Sequence, residues 1–254
     1  MTDSSDTRRS ACPVCSGDEA VSVGSKAGHE YLRCLGCRLV YAAVLPTPEM
    51  YQAAYGKYRT RRRLVLRKSI ELAPMIWTHR FRQWARGERR LMTFLDIGSN
   101  TGHNTEAARR LGCEAHGLET SGKAVAFARE EYPRCSFHYG EIEAFAEQGR
   151  AFDLIYCSEV IEHVPEPHAF VEAVRKLSHP ETLLFLTTPD AGHWKVPKDL
   201  MSWKEVIPVE YLRLYDQGNL KLLLAIHGFE VNFSTPMLRA NQRLYCSLES
   251  ADAE

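Results

Sequence analysis

The sequence predicts an α/β fold built on a mostly parallel sheet, preceded by a small cysteine-bearing ribbon and a helical linker. From residue 92 onward, short apolar runs alternate with helical stretches, as in βαβ units whose strands are buried on both faces. A glycine-containing turn follows the first of these runs, where such sheets bind ligands beyond the carboxyl ends of their strands. Two Cys-x-x-Cys pairs near the N-terminus indicate the ribbon.

The 254 residues allow one large α/β domain and a small additional unit. We divide the chain into a disordered tail (1–10), a zinc ribbon (11–45), a helical basic linker (46–91) and the α/β domain (92–250). No run of 18 or more apolar residues is present, so neither a membrane span nor a membrane partner is predicted. The polar N-terminus lacks the apolar core of a secretory signal, which favours a cytoplasmic location with reduced cysteines.

Four cysteines near the N-terminus have the spacing of a structural zinc site. Cys12 and Cys15 form one pair, and Cys34 and Cys37 form a second pair eighteen residues later. Each pair directs two sulfurs toward one point, and four thiolates complete a tetrahedron with no open position for catalysis. A segment of about 35 residues buries too little apolar surface to fold alone, so we expect the metal to stabilise it. A redox Cys-x-x-Cys is the alternative. The other cysteines are expected to be core residues: Cys113, Cys135, Cys157 and Cys246.

The linker is strongly basic and carries aromatic residues at helical spacing. The stretch 59–90 has eleven basic and two acidic residues, a net charge of +9 in a chain whose net charge is zero. Such a segment either attracts phosphates or nucleic acid, or forms a solvated helix face. The aromatic stripes favour packing, with a ligand pocket as the alternative. They consist of Tyr51, Tyr55 and Tyr58, followed by Trp77, Phe81 and Trp84.

The turn after the first strand of the α/β domain has the pattern Asp-x-Gly-x-Asn-x-Gly, formed by Asp96, Gly98, Asn100 and Gly102. Glycines allow the backbone to approach a ligand closely, and asparagine tolerates positive φ better than most residues. Glu119 ends the second strand, where a carboxylate can accept hydrogen bonds from both ribose hydroxyls. An acid at the end of the first strand would repel a pyrophosphate but suits a cationic or amine-bearing ligand.

At the end of the chain we predict a helix over 217–227, terminated by Gly228, and then two strands. These strands are close in sequence, which favours an antiparallel hairpin at the edge of the sheet.

These motifs, in this order, resemble those of class I S-adenosylmethionine-dependent methyltransferases over residues 92–250. The family resemblance implies a Rossmann-like sheet of seven strands and a cofactor bound at the glycine-containing turn. It further implies that Asp96 holds the methionine amine, that Glu119 holds the ribose and that Glu141 and Ile142 border the adenine. The segment 152–159, including Cys157, resembles the fourth strand and its cofactor-facing tip.

The segment Glu159-Val-Ile-Glu162-His163-Val-Pro resembles that of ubiquinone-pathway O-methyltransferases and of enzymes that methylate 2′-hydroxyls of small RNAs. The resemblance implies a divalent ion such as Mg²⁺ on Glu159, Glu162 and His163, with His193 as a fourth ligand. A metal there would activate and orient an acceptor hydroxyl. Two other interpretations stay open: His163 as a metal-free general base, and a purely structural segment.

We therefore expect methyl transfer to a small molecule, at a hydroxyl or amine of a sugar, nucleotide sugar or natural-product intermediate. The ribbon and the C-terminal part resemble bacterial polysaccharide and natural-product methyltransferases, and the basic linker suggests an anionic acceptor. One alternative is an RNA methyltransferase that uses residues 59–90. A second is a non-catalytic S-adenosylmethionine-binding or partner-binding protein. The segment 190–212, which contains Trp194 and Trp203, is either a lid or a packed surface loop.

Overall fold

The computed structural model describes residues 9, 11–47, 49–50, 64–235 and 238–249. Its centre is a sheet of seven strands in the spatial order β6-β5-β4-β7-β8-β11-β10. The first five in that order are parallel, whereas β11 and β10 run antiparallel to their neighbours. The strands are β4 (Thr93–Ile97), β5 (Glu114–Glu119), β6 (Ser136–Tyr139), β7 (Phe152–Ser158), β8 (Ser178–Pro189), β10 (Phe229–Thr235) and β11 (Asn241–Leu248). The predicted fold class is thereby confirmed.

Helices cover both faces of this sheet, because successive apolar residues of each central strand point to opposite sides. Phe94 and Leu154 contribute to one core cluster, whereas their neighbours Leu95 and Ile155 contribute to the other. The first face carries α1 (Leu64–Ala85), α2 (His103–Arg110) and α3 (Gly122–Glu131). The second face carries α4 (Ile142–Ala146), α5 (Pro167–Lys176) and α6 (Gln217–Ile226).

The predicted C-terminal hairpin is confirmed. The β10 and β11 strands pair antiparallel, and β11 also pairs with β8, so that β10 forms the sheet edge. Helix α6 is followed by Gly228 at φ 73°, a left-handed conformation that glycine adopts without strain.

The N-terminal ribbon forms its own sheet from β1 (Ala20–Lys26), β2 (His29–Cys34) and β3 (Val40–Ala42). A fourth strand, β9 (Arg213–Leu214), comes from the α/β part of the chain and pairs antiparallel with β3. Residues from 200–206, including the buried Trp203, pack against the apolar face of this small sheet together with Tyr31 and Val40. The ribbon therefore rests on the main domain through backbone pairing as well as side-chain packing.

Most of the described part of the linker is α1, which packs against α2 through the buried residues Val65, Leu72 and Ile76. Tyr51, Tyr55, Tyr58 and the arginines at 59 and 61–63 lie outside the described residues. Trp77, Phe81 and Trp84 are 60%, 71% and 54% exposed. The interpretation of this second stripe as internal packing is therefore wrong: the helix buries its opposite face. None of the described helices is long and apolar enough to cross a membrane.

A pair of histidines inside the fold makes stability depend on pH. The His116 Nδ1 and His138 Nε2 atoms lie 3.1 Å apart, and the two rings stack. Burial, followed by the charges of His116 and nearby arginines, lowers the pKa of His138 to about 4, and burial also lowers the pKa of His116. Because both folded-state pKa values lie below the ordinary value, protons bind the unfolded chain preferentially as pH falls below about 6.5.

We expect the free energy of unfolding to fall by about 2 kcal/mol through this pair between pH 7 and pH 4.5. Replacing His138 by Phe removes one titrating partner and should shrink that loss. Urea unfolding of both proteins across this pH range measures the difference between their slopes. Parallel pH dependence in the two proteins would contradict the assignment to these histidines.

Candidate functional site

The carboxyl ends of β4, β5, β6 and β7 meet at one edge of the sheet, because these strands are parallel neighbours. Asp96, Glu119, Glu141 and Glu159 lie at or just beyond these ends. The topology thus brings four acids that are distant in sequence to the same edge, where open α/β sheets bind their ligands.

The turn between β4 and α2 adopts three left-handed conformations in five residues: Gly98, Asn100 and Gly102 have φ values of 70°, 48° and 82°. The expectation that Asn100 tolerates positive φ is confirmed. A Cβ on Gly98 would lie 2.6 Å from Val160, and one on Gly102 would lie 2.6 Å from Phe137. The glycines therefore permit both the tight turn and its close approach to the loop after β7.

Asp96 lies beneath this turn and is 1% exposed. Its carboxylate accepts hydrogen bonds from Thr105 Oγ1 at 3.1 Å and from Asn104 Nδ2 at 3.5 Å. Burial raises the pKa of Asp96 to about 7, although the two hydrogen bonds oppose the increase. A cationic group nearby would restore its ionised form. Ser99 Oγ and Asn104 Oδ1 are buried without a hydrogen-bond partner, so a polar ligand at this turn would satisfy them.

Glu119 connects the glycine-containing turn to the end of β5 through hydrogen bonds. Its Oε2 accepts a hydrogen bond from the Asn100 amide at 2.8 Å, and its Oε1 accepts one from the Ser121 amide at 2.9 Å. Each carboxylate oxygen has a second lone pair, so ribose hydroxyls can donate to the same group.

The other predicted cofactor residues differ in their exposure. Glu141 is exposed at the N-terminus of α4, and Ile142 is buried in the adjoining core. Cys157 is completely buried, with its thiol packed in the core cluster below the site. This arrangement does not present the Cys157 thiol to a ligand.

Glu159 opens the loop after β7 in a strained conformation, with φ 56°. Its amide donates to the Thr187 carbonyl at 2.9 Å. Its carboxylate accepts hydrogen bonds from Thr187 Oγ1 at 3.0 Å and from Asn241 Nδ2 at 2.8 Å. These contacts with β8 and β11 fix the Glu159 carboxylate.

Glu162 and His163 form the centre of the site. Glu162 is 1% exposed; its Oε2 accepts a hydrogen bond from Thr188 Oγ1 at 2.8 Å, and its Oε1 is buried without a partner. His163 Nδ1 donates to the Glu210 carbonyl at 2.7 Å, because a carbonyl only accepts. The neutral imidazole therefore carries its lone pair on Nε2, which lies 3.9 Å from Glu162 Oε1.

Burial determines how both groups titrate. It raises the pKa of Glu162 to about 8, and the charge of Glu159 adds to the increase. It lowers the pKa of His163, although the bond to Glu210 opposes this effect. His163 is therefore a neutral base at physiological pH, next to a carboxyl group that keeps its proton more readily than usual.

The three predicted Mg²⁺ ligands do not converge. Among the described residues, the four ribbon cysteines alone bring three or more candidate ligand atoms within 4.8 Å of one another. His193, the suggested fourth ligand, stacks against Trp194 in the 190–212 segment. Within the described residues, Glu159, Glu162 and His163 therefore do not form a preformed metal cluster.

The four ribbon sulfurs have the arrangement that zinc requires. Cys12 and Cys37 Sγ atoms are 3.5 Å apart, as are those of Cys15 and Cys34. Tetrahedral zinc with bonds of about 2.3 Å places its sulfurs about 3.8 Å apart. The cluster could therefore hold zinc with small adjustments.

The ribbon contacts the loop that carries Glu162 and His163 through the segment before β9. The Leu212 carbonyl accepts from the Ala42 amide of the ribbon at 2.9 Å, and the Leu212 amide donates to the Glu162 carbonyl at 2.9 Å. Tyr31 of the ribbon donates its hydroxyl to the Tyr211 carbonyl at 3.0 Å. One short segment therefore connects the ribbon to the backbone that carries Glu162 and His163.

The surroundings of this loop are acidic. Burial raises the pKa of Tyr211, whose ring meets that of His163 edge-on at 4.7 Å, and nearby negative charges raise it further. Those charges belong to Glu162, Glu159, Glu205 and Glu210. An anionic acceptor group would be repelled here.

The described arginines of the basic linker bind mostly to the protein itself. Arg90 forms a bidentate pair with Asp153 at 2.5 and 2.6 Å, and Arg80 donates to the Gly112 carbonyl. Other pairs in the linker are Arg67 and Lys68 with Glu71, and Arg86 with Glu88 and Glu181. This pairing does not support the expectation of an anionic acceptor.

Several contacts that fix the site residues were not predicted from the sequence. Thr188, Asn241 and Glu210 fix the side chains of Glu162, Glu159 and His163 respectively. Thr188 was visible as the end of a strand beside the site. The Glu210 contact uses only a carbonyl oxygen 47 residues away, for which a sequence carries no signal.

A sequence profile of the methyltransferase domain family matches residues 67–232, well over half of the chain. Curated relatives include the ubiquinone biosynthesis O-methyltransferases of Aromatoleum aromaticum and Xanthomonas campestris pv. campestris. Each is 34% identical over 99 residues, which cover 37% of this chain and 42% and 41% of the two relatives. The chain thus spans about two fifths of the length of these relatives.

Solved structures share the fold at low identity. The PH0226 protein of Pyrococcus horikoshii OT3 aligns with a TM-score of 0.59 and 17% identity, over 80% of this chain and 100% of that one. Magnesium protoporphyrin IX methyltransferase of Synechocystis PCC 6803, with bound SAH, aligns with a TM-score of 0.53 and 15% identity, over 80% and 94% of the two chains. At these identities, the likeness shows the fold alone.

Proposed function

Because the chain belongs to the methyltransferase domain family, we propose that it transfers the methyl group of S-adenosylmethionine to a hydroxyl or amine of a small molecule. His163 serves as the general base. The observation that carries this proposal is the position of His163: Nδ1 is fixed by the Glu210 carbonyl, and Nε2 carries the lone pair beside Glu162 at the mouth of the cofactor site.

The polar groups of the cofactor site suit S-adenosylmethionine. Asp96 suits the methionine amine, Glu119 suits the ribose hydroxyls, and Ser99 Oγ is buried without a hydrogen-bond partner. Exposed Glu141 and buried Ile142 offer a polar and an apolar edge for the adenine. When bound, S-adenosylmethionine supplies an electrophilic methyl group on a sulfonium.

The chain's own residues position the acceptor and remove its proton. The acceptor oxygen or nitrogen forms a bond to the methyl carbon while the carbon–sulfur bond breaks and its electron pair stays on sulfur, which gives S-adenosylhomocysteine. His163 Nε2 takes the acceptor proton as the new bond forms. The unpartnered Glu162 Oε1 is placed to hydrogen-bond either the acceptor or the resulting imidazolium. Alignment supplies the larger part of the rate enhancement.

The acceptor class follows from the charges at the mouth. The carboxylates of Glu159, Glu205 and Glu210 near Tyr211 favour a neutral polyol or an amine-bearing molecule over a phosphate-bearing one. A sugar or natural-product intermediate satisfies this condition. Zinc on Cys12, Cys15, Cys34 and Cys37 belongs to the same proposal, as a structural ion without a catalytic position.

The test uses methyl-labelled S-adenosylmethionine with two separate acceptor pools. One pool is a small-molecule extract rich in sugars and amines, and the other is total RNA. We expect label in the small-molecule pool, and the product mass then identifies the acceptor. Label confined to RNA would overturn the acceptor class, and no label in either pool together with no binding of S-adenosylhomocysteine would overturn the activity.

A further inference from the structure

Helix α1 carries an exposed apolar stripe along one face. Its large members are Leu66, Ile70, Trp77, Phe81 and Trp84, whose exposed fractions range from 54% to 71%. Their spacing of three, four and seven residues places them on one side of a 22-residue helix about 33 Å long. A continuous apolar surface of this length marks an interaction site on a soluble fold.

The charges beside the stripe identify its partner. Residues 64–91 contain seven basic and two acidic side chains. Asp153 and Glu181, which lie outside this segment, form ion pairs with two of its arginines, and an excess of three positive charges remains when they are counted. Arg67, 75% exposed, borders one side of the stripe, and Arg80 borders the other. Arg82 and Arg89 are exposed as well. A second copy of this face would meet like charge, whereas an anionic surface would complement it.

We propose that α1 lies in the plane of an anionic lipid bilayer, with this stripe inserted among the headgroups and acyl chains. Tryptophan and phenylalanine on the apolar side and arginine at its borders form the composition of an interfacial helix. Val65, Leu72 and Ile76 on the opposite side anchor the helix to the domain. No membrane partner was predicted from the sequence, because that prediction rested on long runs of consecutive apolar residues. A stripe on one face of a helix does not produce such a run.

The bilayer would lie close to the cofactor turn. Lys68, on the domain side of α1, is near enough to Asp96 that its charge acts on the pKa of that carboxyl. Helix α1 packs on α2, the helix that begins directly after the turn that follows β4. The docking itself does not depend on which acceptor is methylated.

Co-sedimentation of the full chain with vesicles tests the proposal. We expect binding to mixed phosphatidylcholine–phosphatidylglycerol vesicles, weaker binding at high salt and little binding to pure phosphatidylcholine vesicles. Phe81→Ser and Trp84→Ser should each lower the partition constant of the protein for the anionic vesicles about tenfold. Trp194→Ser is the matched control, because Trp194 is 79% exposed outside the stripe. Thermal unfolding monitors the fold of every variant.

Three results would overturn the proposal. The wild-type protein fails to sediment with anionic vesicles, or the stripe variants and the Trp194 variant bind equally well. Alternatively, sedimentation velocity shows a dimer that Trp84→Ser dissociates, which would assign the face to a second copy of the chain.

Discussion

Replacing His163 by Ala is expected to lower kcat for methyl transfer by about 10²–10⁴-fold, the range that a positioned base supplies. The affinity for S-adenosylhomocysteine should stay unchanged, since His163 lies beyond the cofactor turn. Burial lowers the pKa of His163, so wild-type activity should rise with pH through a pKa below 6.5 and then stay level. That rise should vanish in the variant.

His163→Asn is the matched control for local structure. An asparagine amide can still donate to the Glu210 carbonyl, but it offers no basic nitrogen to the acceptor. If Asn restores kcat, the histidine only holds the loop in place and the proposed base is wrong. If both variants retain wild-type turnover, the segment has neither role. EDTA is added to wild-type enzyme that has been saturated with metal, under conditions that leave the ribbon zinc bound. Loss of activity would then indicate a weakly bound divalent ion, and unchanged activity would indicate a metal-free base.

Loss of the ribbon metal is expected to lower activity, although the ribbon lies at a distance from the reacting atoms. Zinc supplies about 10–16 kcal/mol of binding free energy in small zinc domains, so Cys37→Ser should leave the ribbon unfolded. The β3 strand would then release β9, and the Leu212 amide would lose its fixed position against the Glu162 carbonyl. We expect kcat to fall more than tenfold, together with a lower melting temperature.

Cys135→Ser is the matched control, because that half-buried thiol lies outside the ribbon and contacts Glu106. It should keep one zinc per chain and near-normal kcat. Metal content, thermal unfolding and methyl transfer are measured on the same preparations. A zinc-free Cys37→Ser protein with unchanged kcat would show that the ribbon does not support the catalytic loop.

The parts of the fold that were predictable from sequence are those with local signals. The run from Phe94 to Ile97 is apolar apart from Asp96 and ends in a glycine turn, and the last two strands are separated by a few residues. The positive φ of Asn100 was predictable because asparagine tolerates positive φ better than most residues. The four-cysteine cluster followed from spacing alone, since each Cys-x-x-Cys pair determines half of the geometry.

Long-range contacts could not be predicted in this way. The two residues of β9 lack strand length, and Arg213 resembles a surface residue in sequence although it is 1% exposed. The orientation of Glu159 is determined by Asn241, 82 residues later. Periodicity correctly placed Trp77, Phe81 and Trp84 on one helix face, but it could not decide which face of α1 meets the domain.

The shared strand β9 also imposes a thermodynamic reciprocity. If the ribbon holds the loop of Glu162 and His163 in its acceptor-binding conformation, acceptor binding must in turn tighten the zinc site by the same free energy. A tenfold gain in acceptor affinity caused by zinc would equal a tenfold gain in zinc affinity caused by the acceptor. Under that condition, the backbone pairing of the two residues of β9 makes the zinc occupancy of the ribbon depend on the concentration of the acceptor.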